Sequence, residues 1–179
     1  MALLLVVIFI IYAGLGLPDS VFGSAWPAIY PDINQPVGNA SFVTVLISTG
    51  TVLASMLSAK LINKFGTGLL TAFSTALTTF SLLAYSFSDS LVFFLVLAIP
   101  LGFGAGAIDA ALNNFIAVHY KPIHMCFSHS FYGVGVALTP LLMSLALSFD
   151  NNWRLGFRLV FFVMLFITIV SFLALPLWK

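Results

Sequence analysis

The chain has 179 residues, 61% of them hydrophobic and 6% charged, with a formal net charge of +1. A soluble domain carries about 25% charged residues, and a fold of this size has no interior large enough to hide so much apolar surface. A soluble globular domain is therefore excluded, near-neutrality removes the electrostatic case for nucleic acid binding, and a single cysteine, Cys126, excludes an internal disulfide framework.

The hydrocarbon of a bilayer is the expected solvent, and about 20 mostly apolar residues cross it as a helix. Six segments qualify: Leu3–Tyr30, Ala40–Ile62, Gly68–Phe87, Leu91–Val118, Ile123–Phe149 and Leu155–Leu177. The expected fold class is an all-α integral membrane protein, a single six-helix bundle over residues 1–179.

The first segment begins like a signal peptide. It lacks a basic start, and no small-x-small cleavage site closes it before Pro18, so it reads as a retained span. It is long for one crossing and holds Pro18 and Pro27, which predicts a tilted or kinked helix. Asp19 lies midway along it. A carboxylate at that depth is costly and reads by default as functional. Tyr12, Asp19 and Trp26 recur every seven residues and share a face. An acid flanked by rings suits a polyol or sugar, whose hydroxyls need hydrogen bonds while its C–H faces stack. The plainer reading makes Tyr12 and Trp26 packing residues or interfacial anchors. Gly16, Ser20 and Ser24 form a small-residue stripe for close helix approach.

The second and third segments flank the turn Asn63-Lys64-Phe65-Gly66. The third carries only Ser and Thr as polar groups, and hydroxyls can bond their own helix. The same holds for the sixth after Arg158. Both read as peripheral or lipid-facing. The fourth segment has a second small-residue stripe, Gly102, Gly106 and Ala110, and a second intramembrane acid, Asp109, with Asn113 one turn further on the same face. An acid that exchanges a proton or an ion at bilayer depth is what a coupled carrier needs. The fifth segment opens with Cys126-Phe-Ser-His129-Ser-Phe-Tyr132-Gly133 and repeats small residues at Gly133 and Ala137. His129 is a candidate to bond solute or relay a proton, with packing as its plain alternative, and Tyr132 is a further candidate beside it. His119, His124 and His129 are spaced by five, so their rings diverge around a regular helix and cannot converge on one metal. Neither a metal site nor a cofactor is expected.

Short connections make consecutive helices antiparallel. An inner N-terminus puts Lys60, Lys64, Lys121 and Lys179 on the cytoplasmic side, which basic residues favour, and leaves Arg154 and Arg158 outside with Asp32, Asp89 and Asp150. Both termini are thus expected in the cytoplasm, the membrane being the plasma or inner membrane. No internal sequence repeat is evident.

Taken together, these stretches resemble a family. Ala59-Lys-Leu-Ile-Asn63-Lys64-Phe65-Gly66 is similar to the loop signature between the second and third helices of the major facilitator superfamily, with Ala59 where that signature has glycine and Thr67-Gly68 where it has a basic pair. Gly104-x-Gly106-x-x-Asp109-x-x-x-Asn113 resembles the acidic fourth-helix motif of the fucose:proton symporter-like branch, with Asp for the usual Glu. Asp19 stands where that branch has a first-helix aspartate. His129-Ser-Phe-Tyr132-Gly133-x-Gly135, followed by Pro140, resembles the start of helix five in sugar-carrier relatives, and Trp153-Arg154 opens helix six as it often does there.

The resemblance covers the N-terminal half of a usual twelve-helix member. It implies a cleft lined by helices one, two, four and five. It implies Asp109 and Asp19 as coupling sites for a proton or sodium, and Asn113, His129, Trp26, Tyr12 and Tyr132 as contacts for a small polar solute. Asn63, Lys64 and Gly66 would form an inner gating latch. A six-helix half would need a second copy of itself or a C-terminal half beside it. Two other classes compete. One is a non-transporting membrane assembly protein whose polar cluster specifies helix pairing. The other is an intramembrane hydrolase, for which neither a Gly-x-Ser-x-Gly elbow nor a His-Glu-x-x-His motif is present.

Overall fold

The structure, a computed structural model, describes residues 2–178, so the Lys179 charge lies outside the described residues. Six helices follow one another: α1 (Ala2–Asp32), α2 (Ala40–Phe65), α3 (Thr67–Tyr85), α4 (Leu91–His119), α5 (Pro122–Leu147) and α6 (Trp153–Leu173). Among the described residues these are the helices long and apolar enough to cross a membrane. Single 3₁₀ turns sit at Val37–Asn39 and Leu175–Trp178. The chain is an all-α, multi-pass integral membrane protein.

Local chemistry sets the ends. Ser90 caps α4, its hydroxyl accepting from the Phe93 N–H at 3.4 Å, and Asn152 caps α6, its side chain accepting from the Leu155 N–H at 3.0 Å. Pro122 begins α5, where its missing N–H costs nothing. The sixth helix stops at Leu173, short of the expected Leu177, because Pro176 lacks the N–H that would continue it. At the α2–α3 turn Gly66 adopts φ 79°, ψ 157°, a region essentially closed to other residues.

Two crossings organise the bundle. α1 packs along α5 and α4 along α2, while α3 and α6 pack on each other and on α4 and α1. At the α1–α5 crossing a Cβ on Gly16 would run into the Tyr132 carbonyl, and one on Gly135 into the Ala13 carbonyl. At the α2–α4 crossing a Cβ on Gly102 would run into the Ile47 carbonyl, and one on Gly50 would come within 3.1 Å of the Ile99 carbonyl. Backbone thus meets backbone in both places, as small residues allow in lipid. The two crossings correspond, α1 with α4 and α5 with α2. The third helices fit the same scheme, α6 packing on α1 as α3 packs on α4, so α1–α3 and α4–α6 form a three-plus-three repeat. The sequence hides this repeat because only the glycines at the contacts need recur.

The hydroxyls of α3 go elsewhere than expected. Thr71, Thr75, Thr78 and Thr79 are buried, and the Thr79 and Thr168 hydroxyls bond each other at 2.8 Å between α3 and α6. The lipid side of α3 is Phe73, Leu77 and Phe80. Polar faces turn inward and phenylalanines outward, since lipid offers no hydrogen bonds.

At the end carrying Asp32 and Asp89, Arg154 donates to Asp32 at 2.9 Å and to Asp89 at 2.7 Å. It also donates to the Ser88 carbonyl at 3.3 Å. The Trp153 indole N–H donates to the same Asp32 oxygen at 3.0 Å, and the guanidinium lies 4.1 Å from the Trp153 ring centroid. This clasp joins the ends of α1, α3 and α6. Only 17% of the apolar stretch of α2 and 22% of that of α5 is buried within the chain, against 56% for α1 and 50% for α4. One side of the bundle is therefore open.

Gly106→Leu pushes a side chain into the Thr51 backbone and is expected to destabilise by about 1–3 kcal/mol, read as a lower Tm in detergent. Gly23→Leu, whose Cβ meets nothing within 4 Å, is expected to keep the wild-type Tm. Arg154→Ala should cost only about 0.2–1 kcal/mol for each exposed pair, and the loss should shrink when the melt is repeated in high salt.

Candidate functional site

α1 and α4 each bring one carboxylate to the open side. Asp19 follows Pro18 in α1, and Asp109 lies one turn past Ala105 in α4. Both line a cavity of about 290 Å³ together with Leu15, Thr51, Ala105, His129 and Tyr132. The wall is drawn from α1, α2, α4 and α5, with none of these residues from α3 or α6. A larger hollow of about 640 Å³, lined by Asp32, Asp150 and Arg154 among others, lies at the ionic clasp and holds neither intramembrane acid. Both intramembrane acids meet at the smaller cavity.

Each acid has its own support. The Tyr132 hydroxyl donates to Asp19 Oδ2 at 2.5 Å, from α5 to α1, next to the glycine crossing. The Asn113 amide donates to Asp109 Oδ1 at 2.8 Å, and the Tyr12 hydroxyl donates to Asn113 Oδ1 at 2.7 Å. The second chain runs from α1 through α4 to the acid, each donor fixing the next. Hydrogen bonds to an ionised acceptor are about twice as strong as neutral ones. Asp19 Oδ1 and Asp109 Oδ2 have no protein partner among the described residues, so each acid keeps one oxygen for a ligand.

The heptad-spaced trio divides. Asp19 is exposed to the cavity, Tyr12 is fully buried, and Trp26 is 5% exposed. The Tyr12 ring meets His129 edge-on at 5.6 Å, so it backs the site rather than lining it. Trp26 donates its indole N–H to the Val37 carbonyl at 2.8 Å and packs on Phe22. That ring is committed to the core and to the 3₁₀ turn, not to the cavity face expected for a stacking platform.

His129 lines the cavity, while His119 stacks on Phe115 at 4.2 Å and His124 lies 5.6 Å from the Tyr120 ring. Among the described residues no three His, Cys, Asp or Glu side chains gather as a metal site. Asn63 and Lys64 are exposed at the end of α2, with the Lys64 ammonium 5.2 Å from the Phe65 ring. Gly66 donates its N–H to the Ile62 carbonyl at 2.7 Å. The Trp178 ring packs against Gly68 just beyond this turn, where a Cβ would come within 2.6 Å of it.

Thr51 is the polar lining residue that sequence reasoning passed over, beside the apolar Leu15 and Ala105. Its hydroxyl donates to the Ile47 and Gly102 carbonyls, both at 3.1 Å, tying α2 to α4 beside Asp109. The signal lay in α2, where Ser41, Thr44, Ser48, Thr51, Ser55 and Ser58 recur alternately three and four residues apart, the spacing of one helix face.

The sequence of residues 5–179 matches the family described as Major Facilitator Superfamily. A similar curated protein is human (Homo sapiens) sodium-dependent glucose transporter 1, 26% identical over 144 residues. The match covers 76% of this chain and 27% of that relative, so the chain spans well under half of the relative's length. With the family match running along nearly its whole length, the chain belongs to the Major Facilitator Superfamily, whose members are membrane transporters.

Proposed function

We propose that this chain is a six-helix half of a secondary active transporter that moves a small polar solute, of the sugar class, by alternating access coupled to protons or sodium. The observation that carries the reading is the meeting of two carboxylates from different helices, Asp19 and Asp109, on one cavity at bilayer depth. The similarity to a sodium-dependent glucose transporter supports a sugar and a cation.

Asp109 and Asp19 are the coupling residues. A proton or sodium ion taken up on the free carboxylate oxygens neutralises charge that would otherwise be costly to move through the bilayer. Asn113 holds Asp109 in place, and Tyr12 holds Asn113. His129 and Tyr132 present polar atoms to the solute on the facing wall. Binding of ion and solute together biases the bundle between two orientations, which is all that a ligand can do to such an equilibrium. The rigid glycine crossings let the half rock as a body, and the turn at Asn63, Lys64 and Gly66 serves as the inner latch.

The open face of α2 and α5 is completed by a second six-helix unit, either a parallel copy of this chain or a C-terminal half. Both termini lie on the cytoplasmic side of the plasma or inner membrane. The basic residues Lys60, Lys64 and Lys121 favour that orientation, and Arg154 at the other end is occupied by Asp32 and Asp89. A pure assembly protein would show no ligand-induced rise in Tm, whereas a carrier is stabilised by its solute as RT ln(1 + [L]/Kd).

Asp109→Asn in proteoliposomes is expected to abolish ion-driven accumulation of D-glucose while solute exchange across the membrane persists. Retained accumulation would remove Asp109 from coupling. Tyr12→Phe removes one buried hydrogen bond, worth about 0.5–1.5 kcal/mol. It should change the ion concentration needed for half-maximal uptake with only a small fall in Tm; unchanged ion dependence would reduce Tyr12 to a packing role.

A further inference from the structure

A second cavity, of about 440 Å³, lies between α1 and α2 on the side of Asp19 away from Asp109, lined by Asp19, Gly23, Thr44, Ser48 and Thr51 together with apolar residues. It shares Asp19 and Thr51 with the central cavity and nothing else. Moving along α1 from Leu15 through Asp19 to Gly23, the wall passes from one cavity to the other. Asp19 stands at the junction.

The polar surface of this second cavity is biased toward acceptors. The Thr44 hydroxyl gives its proton to the Ala40 and Ser41 carbonyls, at 3.2 and 3.0 Å, and the Thr51 hydroxyl gives its proton to the Ile47 and Gly102 carbonyls. Both therefore offer lone pairs to the cavity. Asp19 adds an oxygen without a protein partner, and Ser48, exposed and unbonded among the described residues, can donate or accept. Such a wall selects a ligand with several donors, and the Ser48 hydroxyl satisfies one acceptor in return. A polyhydroxylated solute meets that demand. A ligand with acceptors alone does not.

We propose that the α1–α2 cavity is a second, outer binding position for a polyhydroxylated solute, which hands the solute to the central cavity across Asp19. This rests on the transporter reading for the nature of the solute, but not on Asp109 or on coupling. The two positions are used in sequence, because they share one carboxylate. Gly23 is the means of closing the outer one. A side chain there projects into open space, lines the outer cavity and does not line the central one.

The test uses the full chain in detergent, with Cys126 changed to Ser so that Ser48→Cys is the only thiol. Labelling of Ser48→Cys by a small methanethiosulfonate is followed with and without D-glucose, and with glycine betaine, which has no hydroxyl, as a control. D-glucose at about ten times its half-effective concentration is expected to slow labelling about tenfold, since the free fraction is 1/(1 + [L]/Kd); glycine betaine is expected not to. The protection should persist with Asp109→Asn added and disappear with Gly23→Leu added. Labelling unaffected by D-glucose, or protection that survives Gly23→Leu, overturns the outer position. Protection at Ser48→Cys together with full accumulation by Asp109→Asn proteoliposomes keeps the outer position and overturns the coupling role of Asp109. Loss of protection with accumulation still dependent on Asp109 does the reverse.

Discussion

A carboxylate in hydrocarbon must find water, a cation or a partner, and two of them set the plan of this bundle. On insertion scales an aspartate at the centre of a membrane helix costs roughly 2.5–3.5 kcal/mol. Asp19 and Asp109 lie near the middles of α1 and α4, so one face of each helix has to meet an aqueous gap. The other faces are then gripped hard, α1 by α5 and α6, α4 by α2 and α3. Glycine at each crossing brings backbones into contact where the acids most need a fixed wall. The hydrophobic effect does not drive helix association in lipid, so packing of this closeness supplies it.

The two acids are not held alike. Asp109 is at the end of a relay in which Tyr12 fixes Asn113 and Asn113 fixes the carboxylate, with Tyr12 wholly buried. Asp19 has one bond, to a tyrosine on another helix, and is exposed at the junction of two cavities. A carboxylate positioned through two successive side chains keeps its geometry when a ligand arrives. One held by a single hydroxyl can turn. Within the proposed transport cycle, Asp109 thus suits a fixed ion position, and Asp19 contact with a solute that moves past it.

Composition and hydropathy carried the six spans, and rarity within those spans carried the acids. Asn113 followed from its spacing to Asp109, because both lie on the same short helical stretch. The readings that strayed share a cause. Tyr12, Asp19 and Trp26 do lie on one face of α1, yet that face is covered by Asn113 and His129 at Tyr12, open at Asp19, and covered by the turn at Val37 near Trp26. Spacing fixes which residues share a face; what covers that face changes along the helix and is a tertiary fact. The hydroxyls of α3 make the same point. Serine and threonine are compatible with lipid exposure by their own i−4 bonds, but here they pack on α4 and α6. Thr51 escaped notice because a hydroxyl is cheap to place, and its role comes from the neighbours it happens to have.

The open side leads to a further constraint on whatever completes the site. None of the residues around the central cavity is Lys or Arg, and the basic side chains among the described residues stand at or near helix ends. If the second unit is a parallel copy, its own Asp19 and Asp109 face the same space, and four carboxylates share one cavity with two histidines. Like charges so placed cannot all remain ionised and unpaired, so bound cations or protons become part of what holds such a dimer together, and coupling follows from stability. A different C-terminal half carries no such obligation, because it can meet the two acids with neutral or basic groups of its own. The dependence of assembly on cation concentration and pH therefore bears on which unit lies opposite, through the same carboxylates to which the proposed function assigns coupling.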